Sequence, residues 1–143
     1  MIIGVSKLNG KLEGFRAIGT NTRTNKFCVK MNSAKKETIC KFCYSHATLE
    51  KGIYKDLEPF LQSNTEVLGN TILKEYVFRQ GKIKTTKLND AYFRFQHHGE
   101  LINTTHFINL MNIALDNPKT TFACWTKRKD ILNKYRKRHH GLF

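Results

Sequence analysis

At 143 residues, 40% hydrophobic and 25% charged, the chain has the makeup of one folded domain and not of a disordered segment. Lys and Arg outnumber Asp and Glu 25 to 11, a formal net charge of +14, which attracts polyanions, nucleic acid first among them. No apolar run approaches the ~20 residues that span a bilayer, and MIIGVSKLNG lacks the charged, apolar and small-residue regions of a signal peptide, so the chain is expected in the cytoplasm.

Residues 1–27 are polar with scattered apolar positions and suggest a short strand or two, with 25–29 a strand leading into Cys28. Residues 32–37 read as a polar loop. After Cys43, Leu49, Ile53 and Leu57 recur at four-residue spacing, a helical period. Pro59 fits poorly inside that helix and opens a second one, with Leu61, Leu68, Ile72 and Tyr76 on one face up to Gly81. AYFRFQ, residues 91–96, is an aromatic-rich strand. Asn103 or Thr104 then caps a helix with a Phe107, Leu110, Met111, Ala114 and Leu115 stripe, which Asp116-Asn117-Pro118 stops. TTFACW, residues 120–125, reads as the next strand, and Thr126 caps a last helix through His139.

Strand, helix, strand at this spacing predicts a parallel βαβ unit with a right-handed crossover. Ligands of such sheets gather beyond the carboxyl ends of the strands, which would put the 97–100 loop, the residues after Trp125 and Cys28 along one edge. The final helix is strongly basic: Lys127, Arg128, Lys129, Lys134, Arg136, Lys137 and Arg138 stand against Asp130 alone. It is either a solvated face or a candidate nucleic-acid contact.

In a reducing compartment, four cysteines with two close together point to ligands or catalysts before disulfides. Cys40 and Cys43 form C-K-F-C, whose two-residue gap lets both thiolates reach one centre from a tight loop. Cys28 precedes the pair by eleven residues, and Cys124 lies far down the chain at a strand end. Soft sulfur ligands suit zinc or an iron–sulfur cluster, [4Fe-4S] or [3Fe-4S]. Zinc more often uses two such knuckles, and Lys41-Phe42 fits a thioredoxin-type pair poorly. Cys124 is either the fourth ligand or a small core residue. The alternative from another class is a zinc-stabilised nucleic-acid-binding module, in which the aromatic strand would stack bases.

Cys40-Lys41-Phe42-Cys43 resembles the second half of the radical S-adenosylmethionine motif, with Phe42 at its aromatic position. The family's first cysteine would fall at Lys36, and Cys28 stands in through a longer loop. His98-Gly99-Glu100 after the aromatic strand is similar to that family's Gly-Gly-Glu motif. The order of Cys43-Tyr44, Phe93-Arg94-Phe95-Gln96, Gly99-Glu100, Asn117-Pro118 and the segment 122–127 is closer still to phage "gene product 88"-type proteins, over roughly residues 28–130. The resemblance implies a single α/β domain, a partial, open radical-SAM-like βα barrel with a short parallel sheet and flanking helices. It implies a cluster on Cys28, Cys40 and Cys43, with Cys124 as a further ligand, and S-adenosylmethionine near His98, Gly99 and Glu100. The glutamate would take the cofactor's amino group. Three cysteines leave one iron open for radical chemistry, whereas a fourth would turn the site toward electron transfer or structure. A phage-encoded chain would work in the host cytoplasm. An incomplete sheet leaves an edge for a helix, a second copy or a protein partner.

Several other side chains are candidates. His97 and His98, at a strand end, could serve as ligands, proton donors or cofactor contacts, and His46, one turn after Cys43, could bond a cluster sulfur. Arg94 and Gln96 alternate with Phe93 and Phe95, so Arg94 could meet an anion inside the sheet. Tyr44 and Trp125 are placed to shield a cluster. His106 carries no role here, and His139 and His140 belong to a solvated tail.

Overall fold

The computed structural model of the chain describes residues 1–35, 37–53 and 55–138. Lys36, His139 and His140, which entered the sequence reading, lie outside the described residues. The strands are β1 (Ile2–Gly4), β2 (Ser6–Lys7), β3 (Arg16–Ile18), β4 (Val77–Gln80), β5 (Ile83–Thr85), β6 (Tyr92–Phe95) and β7 (Thr121–Cys124). The helices are α1 (Lys26–Asn32), α2 (Tyr44–Glu50), α3 (Glu58–Asn70), α4 (Thr104–Asp116) and α5 (Lys129–Arg138), with short 3-10 turns at Gly10–Leu12 and Ile39–Phe42.

This is a mixed α/β fold with two sheets, ordered β1-β4-β5 and β2-β3-β6-β7. Both sheets mix directions: β1 runs parallel to β4 and β4 antiparallel to β5, while β2 is antiparallel to β3, and β3, β6 and β7 are parallel. Among the described residues no closed barrel forms. Only Val5 separates β1 from β2, so one bent segment serves both sheets. Where they part, buried Asn64 of α3 accepts from Gly4 N–H at 2.7 Å and donates to the Gly4 and Gly19 carbonyls at 2.9 and 3.0 Å. One amide thus satisfies backbone groups that no ladder pairs.

The expected β6–α4–β7 unit is present with its strands parallel. Phe93, Phe95, Phe107, Leu110 and Ile113 are buried in its core, and Phe122 stacks on Phe95 at 4.8 Å between centroids. Asn103 caps α4 by accepting from His106 N–H at 2.9 Å.

Three expectations change. The helix after Cys43 stops at Glu50 and does not carry on through Ile53 and Leu57. Residues 25–29 do not make a strand, because the Asn25 side chain accepts from the N–H groups of Phe27 and Cys28 and so starts α1. The helix opened by Pro59 ends at Asn70 and does not run to Gly81. Asn109 of α4 takes over its open end, donating to the Leu68 and Thr71 carbonyls and accepting from Leu73 N–H. The freed residues include β4, which the helical reading up to Gly81 concealed, and β5 pairs with it antiparallel.

Candidate metal centre

The parallel strands β3, β6 and β7 end at Ile18, Phe95 and Cys124, and the loops beyond them converge. There a cavity of about 70 Å³ is lined by Cys28, Cys40, Cys43, Gly99, Glu100 and Lys127, with Thr22, Phe27, Asn32 and His46 around them. The chain therefore brings three of its four cysteines to one concave site, together with the Gly99-Glu100 pair. Cys124 does not line it. Its side chain packs against the hydrophobic core.

Each cysteine is held by a different local device. Cys28 sits in the first turn of α1, and the capping Asn25 also donates to the Glu100 carbonyl at 2.6 Å and to Thr20 Oγ1 at 3.0 Å. One buried side chain thus ties the Cys28 helix to the Glu100 loop. Cys40 lies in the 3-10 turn Ile39–Phe42, whose Cys40 carbonyl accepts from Asn32 Nδ2 at 3.0 Å. Cys43 is the residue before α2, and Ser45 of that helix hydrogen-bonds His98 Nδ1.

Glu100 is buried and already engaged. Oε1 accepts from Leu101 N–H and from the Thr126 hydroxyl, and Oε2 accepts from Lys127 N–H at 2.8 Å. The carboxylate fixes the turn after β7 against the loop after β6. An ionised carboxylate has about four acceptor sites, so one is left for a cationic group in the cavity. Lys127 sends its ammonium to within 3.7 Å of Cys40 Sγ.

Burial pushes the Cys28 thiol up to about 12; the Glu100 backbone amide partly opposes this, and Cys43, Glu100 and Cys40 add to it. Cys124 rises to about 11, first through burial and then through the Glu100 carboxylate. A metal must displace the Cys28 proton to bind it, so binding releases a proton. Among the described residues, no three His, Cys, Asp or Glu side chains are grouped as ligands of a single metal ion.

Gly99 is obligatory. Its φ is +78°, and a Cβ there would lie 2.0 Å from Thr20 Oγ1 and 2.9 Å from the Thr20 carbonyl. Just before it, Gln96 holds φ +60°, a left-handed conformation in a buried non-glycine residue. Burial and then His98 lower His97 to about 3, with the Ile18 backbone opposing the shift, and among the described residues neither buried ring nitrogen makes a hydrogen bond of good geometry. His98 is also lowered, by burial and then Arg94. His106 is wholly buried and lowered to about 3. It accepts from Ile102 N–H at Nδ1, with the Gln96 amide 2.8 Å from Nε2.

The aromatic residues assigned to shielding stand elsewhere. Tyr44 and Trp125 are exposed and line no part of this cavity. Arg94 lies 5.1 Å over the Trp125 ring on the other face of the sheet. Arg128, counted with the solvated basic run, is an internal strut. It donates to the Leu101 and Ile102 carbonyls and lies 4.4 Å over the Phe27 ring. Asn25, Thr20 and Arg128 were missed as site-builders. Only Asn25 carried a sequence signal, as a capping residue type ahead of a helix-compatible run.

No family model matches the chain, and no curated protein or solved structure matches it either. Among the described residues, no helix is long and apolar enough to cross a membrane.

Proposed function

We infer that this chain is a cytoplasmic iron–sulfur protein of the phage "gene product 88" type, with a cluster on Cys28, Cys40 and Cys43. The observation that carries this reading is the shared cavity of those three thiols at the carboxyl edge of β3, β6 and β7. The donor chemistry suits the group: three soft thiols from one short stretch of chain, with a nearby ammonium. Loading would have to draw the three side chains together, since among the described residues they are not grouped as ligands of one ion. Cys124 stands outside the cavity, which favours three protein ligands over four. When bound, such a cluster supplies an iron open to a further ligand. Here S-adenosylmethionine is the proposed one, with the free acceptor site of Glu100 for its amino group and Gly99 and His98 at the rim. The parallel run β3-β6-β7, with α4 between its last two strands, supports a partial radical-SAM-like architecture.

Anaerobic reconstitution with iron and sulfide tests the reading. A brown protein is expected, with iron and sulfide retained in Cys124→Ala and lost in Cys28→Ala, Cys40→Ala and Cys43→Ala. A colourless protein that takes up zinc and no iron would overturn it and favour the zinc-stabilised module. Release of 5′-deoxyadenosine on adding S-adenosylmethionine and a reductant is the expected sign of radical chemistry. Its absence, with no cofactor binding, would leave an electron-transfer or structural cluster.

A further inference from the structure

The four-stranded sheet has a second face, turned away from the core. Successive residues of a strand point to opposite sides, so burial of Phe93, Phe95 and Phe122 leaves Tyr92, Arg94, Ala123 and Trp125 on the outer side. Among the described residues no α-helix lines the space above them. The connection between β2 and β3 instead folds Leu8, Leu12 and Phe15 over part of the sheet. Between this connection and the strands lies an apolar groove of about 330 Å³, lined also by Tyr92, Arg94 and Trp125. Trp125 is 78% exposed and Tyr92 61% exposed. Phe15 meets Tyr92 edge-on at 6.3 Å, and the Arg94 guanidinium lies on the Trp125 ring.

Large aromatic rings left in water on an uncovered sheet invite an occupant. Charge decides which one. At +14, two copies of the chain repel each other, and a polyanion is drawn in. Exposed cations stand beside its lining residues in the chain: Lys7 and Lys11 flank Leu8 and Leu12, and Lys119 precedes β7. The acidic neighbours are Glu13, which is exposed, and Asp90, which is bound to Arg16 through both oxygens. Flat rings with a guanidinium between them, bordered by lysines, match what unpaired bases on a phosphate backbone require. A duplex hides its base faces and would gain only the charge.

The geometry points to single-stranded nucleic acid as the ligand of this face, with bases stacked on Trp125 and Tyr92 and a phosphate near Arg94. The site is separate from the cysteine cavity and does not depend on what that cavity holds.

Trp125 is the only tryptophan in the chain, so its fluorescence reports on the groove directly. The full chain is titrated with oligothymidylate and oligouridylate of about 12 nucleotides, within the usual site size of such surfaces, and with a duplex of equal length. Both single strands are expected to quench Trp125 and to bind more tightly than the duplex; the stronger of the two shows whether DNA or RNA is preferred. Trp125→Ala and Tyr92→Ala, followed by anisotropy of labelled oligonucleotide, should each weaken binding at least about fivefold, the loss of one stacked base. Both side chains are exposed, and circular dichroism confirms that the variants fold. Unquenched fluorescence at saturation, unchanged affinity in both variants, or equal affinity for duplex would each overturn the assignment. So would light scattering that shows a dimer with Trp125 already covered.

Discussion

Two parts of the molecule meet at the cysteine cavity, and they are built on opposite terms. The β6–α4–β7 unit is fastened by burial: Phe93, Phe95, Phe107, Leu110 and Ile113 are all removed from water. The arm from α1 to the turn after α2 has little of this. Among its described residues, 26–35 and 37–53, only Thr48 and Leu49 are buried, while Ile39, Phe42, Tyr44 and Ile53 are largely exposed. Its attachments to the rest include Asn25 to Glu100, Ser45 to His98, Lys127 to Cys40 and Arg128 over the Phe27 ring. A segment that cannot bury enough apolar surface needs another fastening, and a metal group bound by three of its side chains is one that small domains use. Removing a link between the parts therefore tests whether the cavity belongs to the rigid unit or to the arm.

Gly99→Ala should have the largest effect. It forces a Cβ into Thr20 at a left-handed φ, adding backbone strain and overpacking that together exceed about 3 kcal/mol. Thermal unfolding should show a large loss of stability and reconstitution a failure to hold iron. A variant as stable as the parent would mean that the loop after β6 does not hold the cavity in shape.

Asn25→Ala cuts the link from the other side. Losing the cap costs about 1 kcal/mol, and leaving the buried Glu100 carbonyl short of a donor costs about 1–3 kcal/mol more. Asn25→Asp keeps the capping oxygen but sets a buried carboxylate oxygen against the Glu100 carbonyl, so it should lose at least as much stability as Asn25→Ala. If both variants match the parent in chemical denaturation and in iron retention, the arm is not held by Asn25.

The contrast between the two parts also explains what the sequence made legible. The βαβ unit could be read because its burial follows a period: the aromatic strand, the stop at Asn117-Pro118 and the α4 stripe, apart from exposed Leu115, coincide with observed elements. Convergence of the loops beyond those strands followed from that topology. The arm was not read, because side-chain hydrogen bonds and not a period of burial decide it. Asn25 turns an expected strand into α1 by bonding two N–H groups of its own chain and the Glu100 carbonyl. Asn109 ends α3 and frees β4 in the same way. Nothing in the local sequence of Arg128 separates a strut over Phe27 from a solvated charge.

Acid should loosen the rigid side. Burial lowers His106 and His97 to about 3 in the folded chain, against about 6.5 when unfolded. Between these values the unfolded chain binds more protons, so stability is full above about pH 6.5 and declines as the pH falls toward 3. The decline is at most about 1.4 kcal/mol per pH unit for each histidine. Urea unfolding across this range should show the slope, and His106→Gln should reduce it. A flat profile would mean that these rings are protonated in the fold.

Cys124→Ala should have the smallest effect, and it bears most directly on the comparison. Cys124 ends a strand of the rigid unit, packs against the core and does not line the cavity. Loss of one half-buried sulfur should cost less than about 1 kcal/mol. Iron and sulfide per chain should stay at the parent value, whereas a cluster that draws a fourth thiolate from β7 would lose iron in this variant. In that case the loaded arm would have to move onto the strand, and binding would rearrange the boundary between the two parts. Equal iron content would instead mean that the arm supplies every protein thiolate itself, while the βαβ unit contributes the walls, the Glu100 carboxylate and the Lys127 charge.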